Sequence, residues 1–145
     1  MVVGATPYSG QAKLTKFETA AKKNPKSASA QIQAGVAAHV NNNDKLAISY
    51  YEKAIADDPK NGIAYNNIGN IYLRDKNQPK KALPYYLKAT EVEPSYGYGW
   101  WNLGMTYGQL GQTAQEKKIL TEGLSKVKKT DPAYQGMQTT LKGLK

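Results

Sequence analysis

The chain repeats itself. Tyr65, Ile68, Gly69 and Tyr72 return 35 positions later as Trp100, Leu103, Gly104 and Tyr107. The same frame stands 34 positions earlier in smaller residues: Gln31, Ala34, Gly35 and Ala38. Self-similarity at this period marks units that fold as one supersecondary element each and bury their apolar faces by stacking on neighbours. The period therefore predicts a repeat solenoid before any other property is weighed.

Within each period the apolar spacing is helical. Leu14, Phe17 and Ala20/Ala21 predict a helix over 9–23, which Asn24-Pro25 stops because proline disfavours helical geometry in the residue before it. A second helix is expected from Ala28 to about Val40, ending in Asn41-Asn42-Asn43. Asp44 is a candidate N-cap for a third, which carries Ala47, Tyr51, Ala54 and Ile55 and closes at Asp57-Asp58-Pro59. The fourth is predicted over Gly62–Arg74, with a polar turn over Asp75–Gln78. Pro79 suits the first turn of a fifth helix through Val92. Pro84 would cost about 3 kcal/mol in a helix interior, so that helix is expected to begin in regular form near Lys80 or Lys81. Helices over Tyr98–Leu110, Thr113 to about Lys129, and Ala133–Leu144 complete eight, with no credible strand. Residues 1–6 carry no structural signal and are expected to be frayed.

These residues resemble the tetratricopeptide repeat, a helix–turn–helix of about 34 residues. Repeat one (28–61) matches with Gly35, Ala47, Tyr51, Ala54 and Pro59. Repeat two (62–96) matches with Tyr65, Ile68, Gly69, Tyr72, Ala82, Tyr86, Ala89 and Pro94, with one extra residue placed near Lys76-Asn77-Gln78. Repeat three (97–130) matches in its first helix, but its second has Glu116 where a small alanine is expected, Leu120 for the aromatic and Gly123 for the second alanine. Phe17, Ala20 and Pro25 match the second half of a unit, so 9–27 reads as an N-terminal half repeat and 133–145 as a capping helix. The resemblance implies a single all-α domain, a right-handed superhelical α-solenoid of antiparallel helix pairs. Gly69 and Ala82 would let the two helices of a unit approach closely, while Tyr65, Tyr72 and Tyr86 fill the wider spaces.

In that family the first helix of each pair lines a concave groove that holds an extended or helical segment of a partner. By position the groove would present Ile32, Val36, His39 and Val40 from repeat one. Repeat two would give Ile63, Asn66, Asn67, Asn70 and Arg74, and repeat three Tyr98, Trp101, Met105 and Gln109. Trp101 follows the core Trp100 and lies about 100° around the helix from it. It reads either as an anchor for a ligand side chain or as a ring buried under the C-terminal helix. The asparagines read either as amides for a partner's main chain or as bonds between neighbouring helices. Relatives that grip acidic chaperone tails place a lysine and an asparagine where Ile32 and Val36 stand, so that clamp is incomplete here.

Charge and composition narrow the function classes. Of the net +9, the 19 lysines carry nearly all the positive charge against one arginine. Lysine is a hydrated point charge suited to a solvated surface, so nucleic acid is disfavoured, and no aromatics interleave with the basic clusters as stacking on bases would want. The chain has no cysteine, which removes disulfides and thiol chemistry. His39 has no recognisable catalytic partner in sequence, and no metal-ligand spacing or phosphate-cradling glycine loop occurs. An enzyme is not expected, nor any cofactor. No apolar run approaches the ~18 residues of a membrane span. Met1 to Gly10 lacks the pattern of a secretory leader, which favours the cytoplasm, with an exported mature domain as the alternative. The expected function is a protein-interaction module, an adaptor or scaffold. Self-assembly into homo-oligomers is the competing reading, and polyanion binding by the basic ends comes third.

Overall fold

A computed structural model describes residues 7–144. The expectation of fraying at 1–6 falls outside them. Among the described residues the structure is wholly helical: α1 (Gln11–Lys23), α2 (Ala28–Val40), α3 (Asp44–Asp57), α4 (Gly62–Asn70), α5 (Pro79–Val92), α6 (Gly97–Gln109), α7 (Thr113–Lys126) and α8 (Pro132–Gly143). The eight predicted helices are present, and they belong to the α-solenoid class of helix pairs. By contact density the chain divides into two compact units, one ending at Ala64 and the other spanning Tyr65–Lys145, so the division falls inside α4.

In the first unit α2 packs against both α1 and α3. Ala34, Ala37, Ala38, Ala47 and Ala54 are fully buried, and the small side chains bring the helices close. A Cβ on Gly35 would stand 2.5 Å from the Tyr51 ring, so only glycine admits that ring. Gln31, buried, donates from Nε2 to the carbonyl of Ala21 at 3.1 Å and ties α2 to the end of α1. Asn43 caps α3, its side chain accepting from Leu46 N–H at 3.2 Å. Asp44 is thus the first helical residue rather than the cap, where its charge favours the positive end of the helix.

In the second unit a continuous core joins Leu73, Tyr86, Trp100, Leu103, Leu120 and Met137, with Tyr72, Trp101 and Leu141 packed against it. Tyr86 lies across Gly69, where a Cβ would come within 2.7 Å of the ring, and Leu120 lies across Gly104 at the same distance. These are the close approaches that the repeat pattern predicts.

Several boundaries differ from expectation, and four of the differences have a physical cause. The extra residue of repeat two is not in the turn at 76–78. Gly35 to Asn42 and Gly104 to Gly111 span seven positions but Gly69 to Asn77 spans eight, with Asn42, Asn77 and Gly111 all at positive φ. The surplus is absorbed at the end of α4, where Ile71–Asp75 form one widened π-type turn closed by Lys76 N–H to the Ile71 carbonyl at 3.1 Å. α5 starts at Pro79, leaving Pro84 sixth in the helix. Its missing N–H deprives only the carbonyl of Lys80, an exposed residue where water is at hand. α7 stops at Lys126 because Val127 turns extended and is itself buried. α8 starts one residue early, at Pro132, with Asp131 accepting from Ala133 N–H at 2.8 Å.

Candidate functional site

The second unit carries a cleft of about 400 Å³ lined from α4 and its widened turn by Asn66, Asn67, Asn70 and Arg74. Tyr96, Tyr98, Trp101, Asn102 and Met105 line it from the start and face of α6. Seven of the residues predicted by position therefore come together. Ile32, Val36 and His39 sit half-buried on α2, and Ile63 is exposed, all in the first unit and none lining this cleft. Gln109 is exposed near the end of α6, and Val40 is half-buried.

The apolar wall is a stripe on α6. Tyr98, Trp101 and Met105 stand at helical spacing on one face, and Tyr98 and Met105 remain 38% and 40% exposed. Tyr98 stacks on Trp101 with ring centroids 6.3 Å apart and meets Tyr96 at 6.0 Å. Trp101 is only half-exposed, because its ring lies over Gly136 of α8 and its Nε1–H donates to Thr140 Oγ1 at 3.1 Å. The C-terminal helix thus fixes the indole, which forms a rigid wall of the cleft and not a free anchor.

The polar wall is a hydrogen-bond network whose polarity starts at Arg74. A guanidinium can only donate, so its contact with Asn102 at 3.3 Å requires the amide oxygen there. Asn102 must then present its nitrogen to α4, where it donates to Asn66 Oδ1 at 3.0 Å and to Asn70 Oδ1 at 3.4 Å. The Tyr86 hydroxyl also donates to Asn70 Oδ1, at 2.6 Å. Asn66 Nδ2 points to the Tyr96 hydroxyl at 3.5 Å. Burial raises the Tyr86 phenol well above its ordinary range, only partly countered by Arg74. Burial and the Glu93 charge push Tyr96 up to about 12. Both phenols therefore keep their protons at neutral pH, Tyr86 donating to Asn70 and Tyr96 accepting from Asn66.

Asn66, expected to face a partner, is only 2% exposed and joins α4 to α6. Asn67 and Asn70 are half-exposed and Arg74 is exposed. Tyr96 and Asn102 were not expected in the site. Asn102 shares the repeat position of Asn67, and that equivalence was the available signal. Tyr96 lies in the turn before α6, outside the helical positions from which a groove is counted, and nothing in the sequence marks it.

Helix pairs of this spacing, closed by glycine–aromatic contacts, define a repeat protein of the kind that serves protein interaction. Family profiles described as Tetratricopeptide repeat match residues 14–62, 50–83 and 98–125. The chain belongs to the tetratricopeptide-repeat family. No curated protein matches it. Among solved structures, MamA is similar at 22% identity and a TM-score of 0.69, covering 79% of this chain and 66% of its own. A MamA RS-1 ArsTM double mutant is similar at 19% identity and 0.69, covering 92% and 72%. The N-terminal domain of stress-induced protein-1 (STI-1) from C. elegans is similar at 24% and 0.66, covering 81% and 93%. The chain thus spans slightly under two thirds of the first of these, and likeness at such identity speaks to the fold alone.

Proposed function

We propose that the protein is a non-enzymatic binding module that holds a segment of a protein partner in the cleft between α4 and α6. The observation that carries this reading is the exposure of Tyr98 and Met105 beside a polar wall. Large apolar side chains on a cleft, which the repeat packing does not require, are the usual anchors of protein recognition. Among the described residues no helix is long and apolar enough to cross a membrane.

A photo-crosslinking residue in place of Met105 tests the proposal, with Leu87, exposed on α5 and outside the cleft, as the control position. In native lysate the probe at 105 should give a discrete adduct that the probe at 87 does not. Identical adduct patterns from both positions would discard the cleft as the binding site.

A further inference from the structure

We infer that the cleft selects a partner segment in which a carboxylate side chain lies beside a large apolar or aromatic residue. This deepens the reading above and rests on it. The inference comes from what the network leaves over. Each of its three amide oxygens already accepts: Asn102 Oδ1 from Arg74, Asn66 Oδ1 from Asn102, and Asn70 Oδ1 from both Tyr86 and Asn102. Apart from the amide oxygen of Asn67, what remains to face a ligand is mostly donors. Arg74 has five N–H groups and spends one on Asn102, and no carboxylate among the described residues lies within ion-pair distance of it. The amide nitrogens of Asn67 and Asn70 have no acceptor among the described residues.

A wall with more donors than acceptors to spare is matched by an acceptor-rich ligand, and the Arg74 cation makes the best match anionic. Among the described residues Arg74 is the only charged one lining the cleft, while the Glu93 and Asp131 charges reach Tyr96 from outside it. The chain's net +9 draws acidic segments toward it from a distance. Tyr98 and Met105 supply the apolar half of the recognition and set this site apart from one for a bare phosphate.

The inserted residue of repeat two is part of the device. One extra residue rotates every later position of a helix by about 100°. Arg74 lies inside the widened turn that absorbs it. Its reach to Asn102, and through Asn102 the orientation of all three amides, depends on that turn.

The test is a titration of the full chain with acetyl-Ala-Leu-Glu-Phe-Glu-Leu-amide, with the same peptide carrying glutamine for both glutamates, and with inorganic phosphate. The readout is nitrogen–proton correlation spectra at the Trp101 indole and the Asn67 and Asn70 side-chain amides. The acidic peptide should shift these signals saturably, with its glutamine form about tenfold weaker, as expected for loss of a charge-assisted pair. Arg74→Gln should remove the difference between the two peptides. Equal affinity of both peptides in the parent protein overturns the carboxylate preference and leaves the peptide-binding cleft standing. Saturable shifts with phosphate and none with either peptide overturn it in favour of a simple anion site. No shift at these signals with any ligand at millimolar concentration overturns both readings.

Discussion

Repeats two and three solve the same packing problem with the bulk in different hands. In repeat two the first helix offers Gly69, and the second fills the space with the ring of Tyr86. In repeat three Leu120 takes that place against Gly104, and two further contacts are inverted. Glu116 replaces alanine on α7, and its carboxyl fits because Gly108 stands opposite, where a Cβ would come within 2.5 Å of Oε1. The equivalent pair in repeat two is Leu73 and Ala82, both buried, with the large residue on the first helix. Gly123 likewise makes room on α7 for Trp100, whose Cβ would be 2.6 Å from a side chain there. The repeat is therefore defined by complementary sizes across a helix pair, and either helix can carry the large member. Total volume and pattern matter more to a core than the identity of each residue.

The strongest test of that comparison is overpacking at the shared glycine. Gly69→Leu would drive a side chain into Tyr86, whose ring cannot swing away without breaking its 2.6 Å bond to Asn70. The expected loss is about 3 kcal/mol or more. Gly104→Leu meets only the branched end of Leu120, which has other rotamers to adopt, so its loss should be smaller by about 1 kcal/mol. Urea denaturation of both variants reads the difference. A parent-like midpoint for Gly69→Leu, or a larger loss at Gly104, would break the argument that the aromatic makes repeat two the stiffer pair.

The legibility of the sequence divides along the same line. Gly35, Gly69 and Gly104, with Tyr51, Tyr86 and Leu120 opposite, were readable because a steric repeat recurs at fixed spacing and each contact lies within one unit. The clustering of Asn66, Asn70, Arg74, Tyr98, Trp101 and Met105 followed from the same spacing. Their roles did not. Trp101 depends on Thr140 and Gly136, nearly 40 positions away on a helix that belongs to no repeat. Asn66 is buried because Asn102 reaches it from the next repeat, and a periodic pattern shows that two residues are equivalent without showing that they touch. The widened turn was misplaced because an inserted residue changes the count between landmarks but leaves open which residue within the interval absorbs it.

A second test uses the inverted pair. Glu116 is 6% exposed, no side chain among the described residues donates to its carboxyl, and burial raises it above the usual carboxylate range. The folded protein therefore holds that proton more tightly than the unfolded chain does. Its contribution is fully present below the ordinary glutamate range and is lost as pH rises through the raised folded value. At neutral pH the buried charge is a cost that Glu116→Gln removes with little change of shape. The variant should melt a few degrees above the parent, roughly the shift that ~1 kcal/mol gives a chain of this size. The gap should close as pH falls into the carboxylate range. Thermal melts across that range check both signs, and a constant gap would mean that the carboxyl is better solvated than its burial indicates.

The smallest expected effect concerns the turn that ends the first helix of each pair. Repeat two places Asn77 there at φ 50° and repeat three places Gly111 at φ 75°, both in the left-handed region. Asparagine tolerates this geometry because its short polar side chain can bond locally, and glycine because it has no Cβ to clash. A Cβ at Gly111 would meet nothing within 4 Å, so any cost there is conformational and not steric crowding. Gly111→Ala should then cost about 1 kcal/mol and Gly111→Asn only a few tenths. Asn77→Gly should be close to neutral, since relief of the turn is offset by the greater freedom of glycine in the unfolded chain. Chemical denaturation at matched conditions ranks the three. Should Gly111→Asn cost as much as Gly111→Ala, the two turns differ in more than their occupant, and the widened end of α4 would be the first place to look for the reason.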